Sequence, residues 1–130
     1  MLLDTTFLID FLRDKKEAVD FLKKIQHFQL YTTEINVFEL VVGVYLSQKN
    51  PQKHMELISA MLARMTVLPL ERKATIKAGE LAASAMKKGK TVDHTDSLIA
   101  GIALAHGVQQ IVTQNKTHFE QFSDVKVYSY

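Results

Sequence analysis

Short apolar segments alternate with helical patterns along the whole chain, and this alternation constrains the fold more than any other feature of the sequence. Each apolar run has the length of a buried strand and is followed by apolar residues at helical spacing. The predicted strands are 2–3, 30–32, 66–68, 110–113 and 125–128. Such an order predicts an α/β fold in which helices cover both faces of a central, mainly parallel β-sheet.

The predicted helices lie between these strands and end at recognisable signals. Gly89 and Gly107 follow two of them, and glycine commonly ends a helix. Pro51 marks the start of another, since proline is tolerated in the first turn of a helix. No linker or internal repeat divides the chain, so we expect residues 1–130 to form a single domain. After a first helix that directly follows the first strand, the predicted helices are 17–28, 37–47, 52–65, 71–88, 93–106 and 118–122.

Composition excludes several classes of protein but does not identify a function. Hydrophobic residues make up 47% and charged residues 23%, as is typical of a soluble globular protein. No apolar run approaches the roughly 20 residues that cross a bilayer, and no signal-peptide pattern is present, so we expect a cytoplasmic protein without a membrane partner. The absence of cysteine leaves oxygen or imidazole ligands for any metal. A net charge of +2 permits nucleic-acid binding without requiring it.

Three acidic residues occupy comparable places in this pattern. Asp4 ends the first strand, whereas Glu39 and Asp96 lie near the starts of two predicted helices. Each is surrounded by apolar sequence, where an unpaired carboxylate is costly. Ligands of parallel sheets bind outside the carboxyl ends of the strands, and clustered carboxylates favour Mg²⁺ or Mn²⁺. A metal site is therefore one interpretation of these acids.

Helix capping is the other interpretation. Asn36-x-x-Glu39 and Asp93-x-x-Asp96 both match the pattern of a capping box. Acids in the first turn of a helix also interact favourably with its dipole. Taken singly, Glu39 and Asp96 are therefore explained as caps.

Asp4 is harder to explain in this way. Thr5 or Thr6 could cap the helix that follows, which would leave the Asp4 carboxylate without a capping role. From the residues alone, both a metal site and a set of structural caps stay open.

Three segments carry a recognisable order of motifs: LLDTTFLIDFL, NVFELVVG and DHTDSLIAGIALAHGVQQIVTQNKTHF. In this order, and over nearly the whole chain, they resemble the PIN-domain ribonucleases, and among these the VapC-type toxins of prokaryotic toxin–antitoxin pairs. The resemblance implies a PIN-like three-layer fold and a metal-dependent endoribonuclease, which cleaves RNA phosphodiester bonds with activated water. It also implies three partners, namely an RNA substrate, a cognate antitoxin protein and a second copy of the chain in a homodimer.

The same resemblance assigns roles to individual residues. Asp4 and Asp96 are the foremost candidates as ligands of Mg²⁺ or Mn²⁺, while Glu39 binds a second ion or polarises the attacking water. Asn115 corresponds to a polar residue after the fourth strand that orients a metal-bound water. Many relatives carry a further aspartate where this chain has His118, which we interpret as a residue at a helix start and not as a catalytic group.

Other functions remain as alternatives. A non-catalytic PIN-like module would bind RNA without cutting it, although here the three acids are intact. A haloacid-dehalogenase-type phosphatase also begins with an aspartate after a strand, but it requires a second one where this chain has Thr6. A purely structural module would use its acids only as caps. If RNA is the substrate, we expect its backbone to be steered by lysines around the acids: Lys87, Lys88, Lys90 and Lys116.

Overall fold

The computed structural model describes all 130 residues and contains seven helices and five strands. None of the helices combines the length and apolarity that crossing a bilayer requires. The strands are β1 (Leu2–Leu3), β2 (Tyr31–Thr33), β3 (Thr66–Leu68), β4 (Gln110–Val112) and β5 (Lys126–Tyr128). The helices are α1 (Thr5–Leu12), α2 (Lys16–Ile25), α3 (Glu34–Ser47), α4 (Pro51–Leu62), α5 (Arg72–Lys87), α6 (His94–Ala105) and α7 (Lys116–Glu120).

The five strands form one sheet in the order β3-β2-β1-β4-β5, and all four pairings are parallel. β1 lies in the middle, where Leu2 is in register with Tyr31 of β2 and with Ile111 of β4. Parallel strands need long crossover connections, which the helices provide. The carboxyl ends of the strands consequently meet at one edge of the sheet. The predicted parallel α/β fold is confirmed.

Helices cover both faces of the sheet. Successive residues of a strand point to opposite faces, so neighbouring residues of β1 and of β4 pack into two different clusters. Leu2 and Ile111 belong to a buried cluster with residues of α5, α6 and α7. Leu3 and Val112 belong to a second buried cluster with residues of α1, α2, α3 and α4. The architecture therefore has three layers, as the resemblance implies.

Helices α5 and α6 approach each other closely through small residues. A Cβ atom built on Gly101 of α6 would lie 2.6 Å from the Cβ of Ala78 and 2.8 Å from the carbonyl oxygen of Ala74. Real atoms do not approach so closely, so only glycine fits at position 101. This contact fixes the register of α6 against α5, and with it the position of Asp96 in the first turn of α6.

The predicted start of α3 is wrong by three residues. The helix begins at Glu34 with Thr33 as its N-cap. The Thr33 hydroxyl accepts a hydrogen bond from the Asn36 backbone N–H (3.2 Å), and Oδ1 of Asn36 accepts one from the Thr33 N–H (3.1 Å). The capping box is therefore Thr33–Asn36, and the predicted box from Asn36 to Glu39 is not formed. Glu39 lies in the second turn of α3, where its carboxylate has no capping role.

Candidate active site

Asp4 directly follows β1 and is buried at the start of α1, with 3% of its surface exposed. Its Oδ1 accepts a hydrogen bond from Nδ2 of Asn36 (3.0 Å), and its Oδ2 accepts from the hydroxyls of Thr113 (2.7 Å) and Thr6 (3.3 Å). None of the salt bridges in the structure involves it. Burial raises the pKa of Asp4, and the hydrogen bond from Thr113 is the strongest of those that oppose this shift.

The prediction that Thr5 or Thr6 caps α1 is wrong. Asp4 itself occupies the N-cap position, without a capping bond from its side chain, and both threonines lie inside the first turn. The Thr5 hydroxyl donates to Oε1 of Glu39 (2.7 Å), while the Thr6 hydroxyl contacts Asp4. The two hydroxyls therefore bind the acids, and the Asp4 carboxylate is free of a capping role for a different reason than expected.

Asn36 is a positioning residue that the sequence suggests only as a helix cap. Its side chain is fully buried. While Oδ1 closes the capping box of α3, Nδ2 donates to Oδ1 of Asp4 (3.0 Å) and to the Thr5 hydroxyl (3.0 Å). One amide thus fixes the beginning of α3 and the orientation of the Asp4 carboxylate together. We name the side chains of Asn36, Thr6 and Thr113 around Asp4 the Asp4 cradle.

Glu39 is half-buried on α3, and its carboxylate is affected by the charges of Asp4 and Asp96. Burial raises its pKa, the hydrogen bond from Thr5 opposes this shift, and the negative charges of Asp4 and Asp96 add to it. The acids are therefore close enough to repel one another. Without a cation, this repulsion disfavours the fully ionised site.

Asp96 lies in the first turn of α6 and has only 7% of its surface exposed. Its Oδ2 lies 2.9 Å from Nδ1 of His118 on α7. Burial raises the pKa of Asp96, the hydrogen bond with His118 opposes this shift, and the charges of Asp93 and Asp4 add to it. His118, which the sequence analysis leaves outside the site, is therefore in direct contact with one of the three acids.

Asp93 is the N-cap of α6, as one of the two interpretations predicts. Its Oδ1 accepts hydrogen bonds from the backbone N–H of Thr95 (2.9 Å) and from the Thr95 hydroxyl (2.7 Å). The hydroxyl bond is the main reason that the pKa of Asp93 is lowered. Asp93 therefore contributes a negative charge to the rim of the site while its carboxylate serves the helix.

Asn115 is exposed at the N-cap position of α7. Its side chain makes no capping bond, and its backbone N–H donates to the Thr113 hydroxyl (2.9 Å), which in turn donates to Asp4. The structure thus brings Asn115 to the site through its backbone. Its predicted role with a metal-bound water stays a prediction.

The carboxylates of the three acids are suitable ligands for a hard divalent cation, but they do not surround a common position at which one ion could contact all three. No group of three or more His, Asp or Glu side chains is already arranged to hold an ion. However, Asp4, Glu39 and Asp96 supply carboxylate oxygens, and no Lys or Arg neutralises them. Burial raises the pKa of each of these carboxyl groups. Mg²⁺ and Mn²⁺ prefer such oxygen ligands. Binding one ion to all three acids requires side-chain movement.

Comparisons with known proteins agree with this fold. The chain is 26% identical over 126 residues to the tRNA(fMet)-specific endonuclease VapC of Salmonella typhimurium, which covers 97% of this chain and 94% of that protein. The structure resembles DNA-bound VapBC from Salmonella typhimurium, with a TM-score of 0.86, 26% identity and coverage of 98% and 96% of the two chains. It also resembles FitAcB from Neisseria gonorrhoeae, with a TM-score of 0.85, 26% identity and coverage of 98% and 95%.

A family comparison covers nearly the whole sequence. The PIN domain family matches residues 1–125, a range that includes all three acids, Asn115 and His118. The chain belongs to the PIN domain family.

Proposed function

We propose that this protein is a metal-dependent endoribonuclease and the toxin of a toxin–antitoxin pair, with residues 1–130 acting as a single PIN domain. The observation that carries the proposal is the group of three acids, two of them buried, at the carboxyl edge of a parallel sheet without a neutralising Lys or Arg. Burying carboxylates without a neutralising partner lowers the stability of the fold, so a purely structural role does not account for them. The likeness to a tRNA-specific endonuclease supports RNA as the substrate.

In this proposal Asp4 and Asp96 hold Mg²⁺ or Mn²⁺. When bound there, such an ion would stabilise negative charge on the phosphate and lower the pKa of water. Asp4 is suited to a fixed ligand, because the Asp4 cradle holds both of its oxygens. A carboxylate offers about four lone-pair sites, so three hydrogen bonds leave room for an ion.

Glu39 is suited to accept the proton of the attacking water. Thr5 occupies Oε1 of Glu39, which leaves Oε2 as the acceptor. Its raised pKa also makes the carboxylate a stronger base than an exposed glutamate. Asn115 lies at the start of α7 and in this proposal orients the same water.

The partners follow from the same proposal. Single-stranded or loop RNA would reach the acids along the lysines named above, of which Lys116 also lies near Glu120 (3.5 Å). The likeness to VapBC supports a protein antitoxin that restrains the toxin in the cytoplasm. Exposed apolar residues on α3, namely Phe38, Tyr45 and Leu46, offer a surface for the antitoxin or for a second copy of the chain.

RNA cleavage in Mg²⁺ or Mn²⁺ tests the proposal. We expect Asp4→Asn and Asp96→Asn each to reduce cleavage by roughly a thousandfold or more, since metal stabilisation of the transition state is worth several kcal/mol. Asn at position 4 keeps Oδ1 for Asn36, and the neighbouring hydroxyls can accept from its amide, so the fold should persist. Asp124→Asn is the matched control, because the Asp124 side chain is 59% exposed and lies near only Lys77 (3.9 Å).

Chelation by EDTA should abolish cleavage by the wild type, and added Mn²⁺ should restore it. Full activity of either Asp4→Asn or Asp96→Asn would contradict the proposal. Binding of RNA without any cleavage by the wild type would favour the non-catalytic RNA-binding module instead.

A further inference from the structure

His118 is the one His, Lys or Arg side chain that hydrogen-bonds to any of the three acids. Its Nδ1 lies 2.9 Å from Oδ2 of Asp96. The two side chains differ in exposure, with 52% for His118 and 10% for Asp96. The contact therefore joins the protein surface to an acid inside the site.

We infer that His118 is a positioning residue for Asp96, and this inference rests on the proposed metal-dependent function. An ionised carboxylate can only accept hydrogen bonds, so Nδ1 of His118 carries the hydrogen and donates it to Oδ2. This bond fixes the imidazole in one tautomer and the carboxylate in one orientation. It leaves Oδ1 of Asp96 for the ion.

The surroundings of Asp96 give this single bond its importance. Asp4 accepts hydrogen bonds from three side chains, whereas the Asp96 carboxylate has no side-chain partner other than His118. Hydrogen bonds to metal-binding carboxylates hold these ligands in position, and their loss typically costs about 10- to 100-fold in metal affinity. The orientation of Asp96 is therefore expected to depend on His118 far more than that of Asp4 depends on any one residue.

His118 is exposed, but its backbone is well anchored. Its N–H donates to the carbonyl oxygen of Asn115 (3.1 Å). The next residue, Phe119, is fully buried and packs with Phe122 in the core beside α6. Anchoring on both sides holds the imidazole against Asp96 without burying it.

Two amide substitutions separate the positioning role from direct contact with the substrate. In His118→Asn, Nδ2 of the amide takes the place of Nδ1 and can still donate to Asp96. In His118→Gln, the longer side chain places its amide where Nε2 stands, facing away from Asp96. A positioning residue is rescued by Asn, whereas a residue that touches RNA through Nε2 is rescued by Gln.

The experiment measures Mn²⁺ binding to the whole chain without RNA, by electron paramagnetic resonance or calorimetry. We expect His118→Ala and His118→Gln to weaken Mn²⁺ binding about 10- to 100-fold, and His118→Asn to stay within about threefold of the wild type. His94→Ala is the matched control, since His94 lies at the start of α6, the helix that carries Asp96, and has no side-chain hydrogen bond to the acids. Thermal unfolding of each variant verifies that the fold is intact.

The inference is overturned if His118→Ala binds Mn²⁺ as the wild type does, or if Gln restores binding and Asn does not. Asp4→Asn, measured beside these variants, keeps the two proposals distinct. Loss of Mn²⁺ binding in Asp4→Asn together with normal binding in His118→Ala would remove the inference and leave the proposed function standing. Failure of the wild type to bind Mn²⁺ would overturn both.

Discussion

Asp4 and Asp96 lie at the same edge of the sheet, but the protein holds them in different ways. The Asp4 carboxylate accepts hydrogen bonds from the nearby Thr6 and from Asn36 and Thr113, which come from distant parts of the chain. Asp96 accepts one side-chain hydrogen bond, from the half-exposed His118. Its backbone is positioned instead by the contact of α6 with α5 at Gly101. One acid is held by three polar side chains, and the other by one polar side chain together with helix packing.

This difference indicates how the site tolerates its unmet charge. The Asp4 cradle compensates for burial with several neutral donors, each of which would lose one hydrogen bond if Asp4 were replaced by an apolar residue. Asp96 has a single side-chain donor, His118, while the close helix contact fixes its backbone. We therefore expect Asp96 to depend on helix packing and on one polar side chain, and Asp4 to depend on several polar side chains together.

The largest expected effect on stability comes from the helix contact. Gly101→Ala places a methyl group against rigid atoms of Ala74 and Ala78, and we expect it to lower the free energy of unfolding by about 3 kcal/mol, at the upper end for overpacking. The displaced α6 should also weaken Mn²⁺ binding through Asp96. Chemical denaturation and Mn²⁺ titration measure both effects.

Gly79→Ala is the control for this prediction. Gly79 lies on α5, and a Cβ there has nothing within 4 Å. Alanine is the better helix former by about 1 kcal/mol, so this variant should be slightly more stable than the wild type. Equal stability of Gly101→Ala and Gly79→Ala would contradict the prediction that the α5–α6 contact excludes a side chain at position 101.

The next effect concerns the Asp4 cradle. Asn36→Ala removes a capping interaction of α3 and the donor to Oδ1 of Asp4, so we expect a loss of about 2 to 3 kcal/mol in the free energy of unfolding. Asn50→Ala is the matched control. Asn50 also begins a helix, but it is exposed and has one long bond, from the Lys53 N–H at 3.4 Å, and its loss should cost about 1 kcal/mol or less. Similar costs for the two variants would mean that Asn36 acts only as a cap.

A smaller effect should appear in the pH dependence of stability. Burial raises the pKa of Asp4 in the folded state above its unfolded value, so ionisation of Asp4 lowers stability as pH rises through the folded pKa. Asp4→Asn lacks this penalty. In EDTA, its stability relative to the wild type should therefore increase with pH, by about 1.4 kcal/mol for each unit of pKa elevation.

Thermal unfolding of both proteins between pH 4 and pH 8 measures this difference. The comparison cancels groups on which the charge of Asp4 does not act, such as Asp10. Burial raises the pKa of Asp10, but hydrogen bonds from Lys15 and Tyr130 lower it overall. A difference that stays constant over the whole range would show that the cradle fully compensates for burial of the charge.

The smallest effect is expected at Asp93. Serine caps a helix about as well as aspartate, so Asp93→Ser should change the free energy of unfolding by less than about 0.5 kcal/mol and leave Mn²⁺ binding and cleavage nearly unchanged. Asp93→Ala should cost about 1 kcal/mol, because Thr95 loses its acceptor. Loss of Mn²⁺ binding in Asp93→Ser would identify Asp93 as a ligand and not only a cap.

The fold was largely predictable because its signals are local. Three-residue apolar strands such as β3 and helices that end at Gly89 or Gly107 are visible within a short window. Both glycines have positive φ (76° and 75°), which favours glycine at a helix end. The boundary error at α3 also has a local cause, since Thr33–Asn36 forms a capping box with Asn where Glu or Gln is usual.

The details of the site were less predictable because its contacts are not local. Thr113 is 109 residues from Asp4, and His118 is 22 residues from Asp96. Such pairs are set by the strand order and by the docking of α7, neither of which any short segment encodes. The sequence therefore indicated the acids as candidates, but not the neutral side chains that hold them. The metal-binding roles of the acids and the role of Asn115 stay predictions.

The position of β1 has a consequence for synthesis of the protein. Of the five strands of the sheet, β1 is made first although it lies in the middle, and it gains its β4 partner only when residues 110–112 have been translated. Until then Asp4 also lacks Thr113. Domains generally complete folding as units during synthesis. A nascent chain therefore carries an unfinished Asp4 site until residues 110–113 have emerged, so the proposed nuclease activity would begin only after that part of the chain has been made.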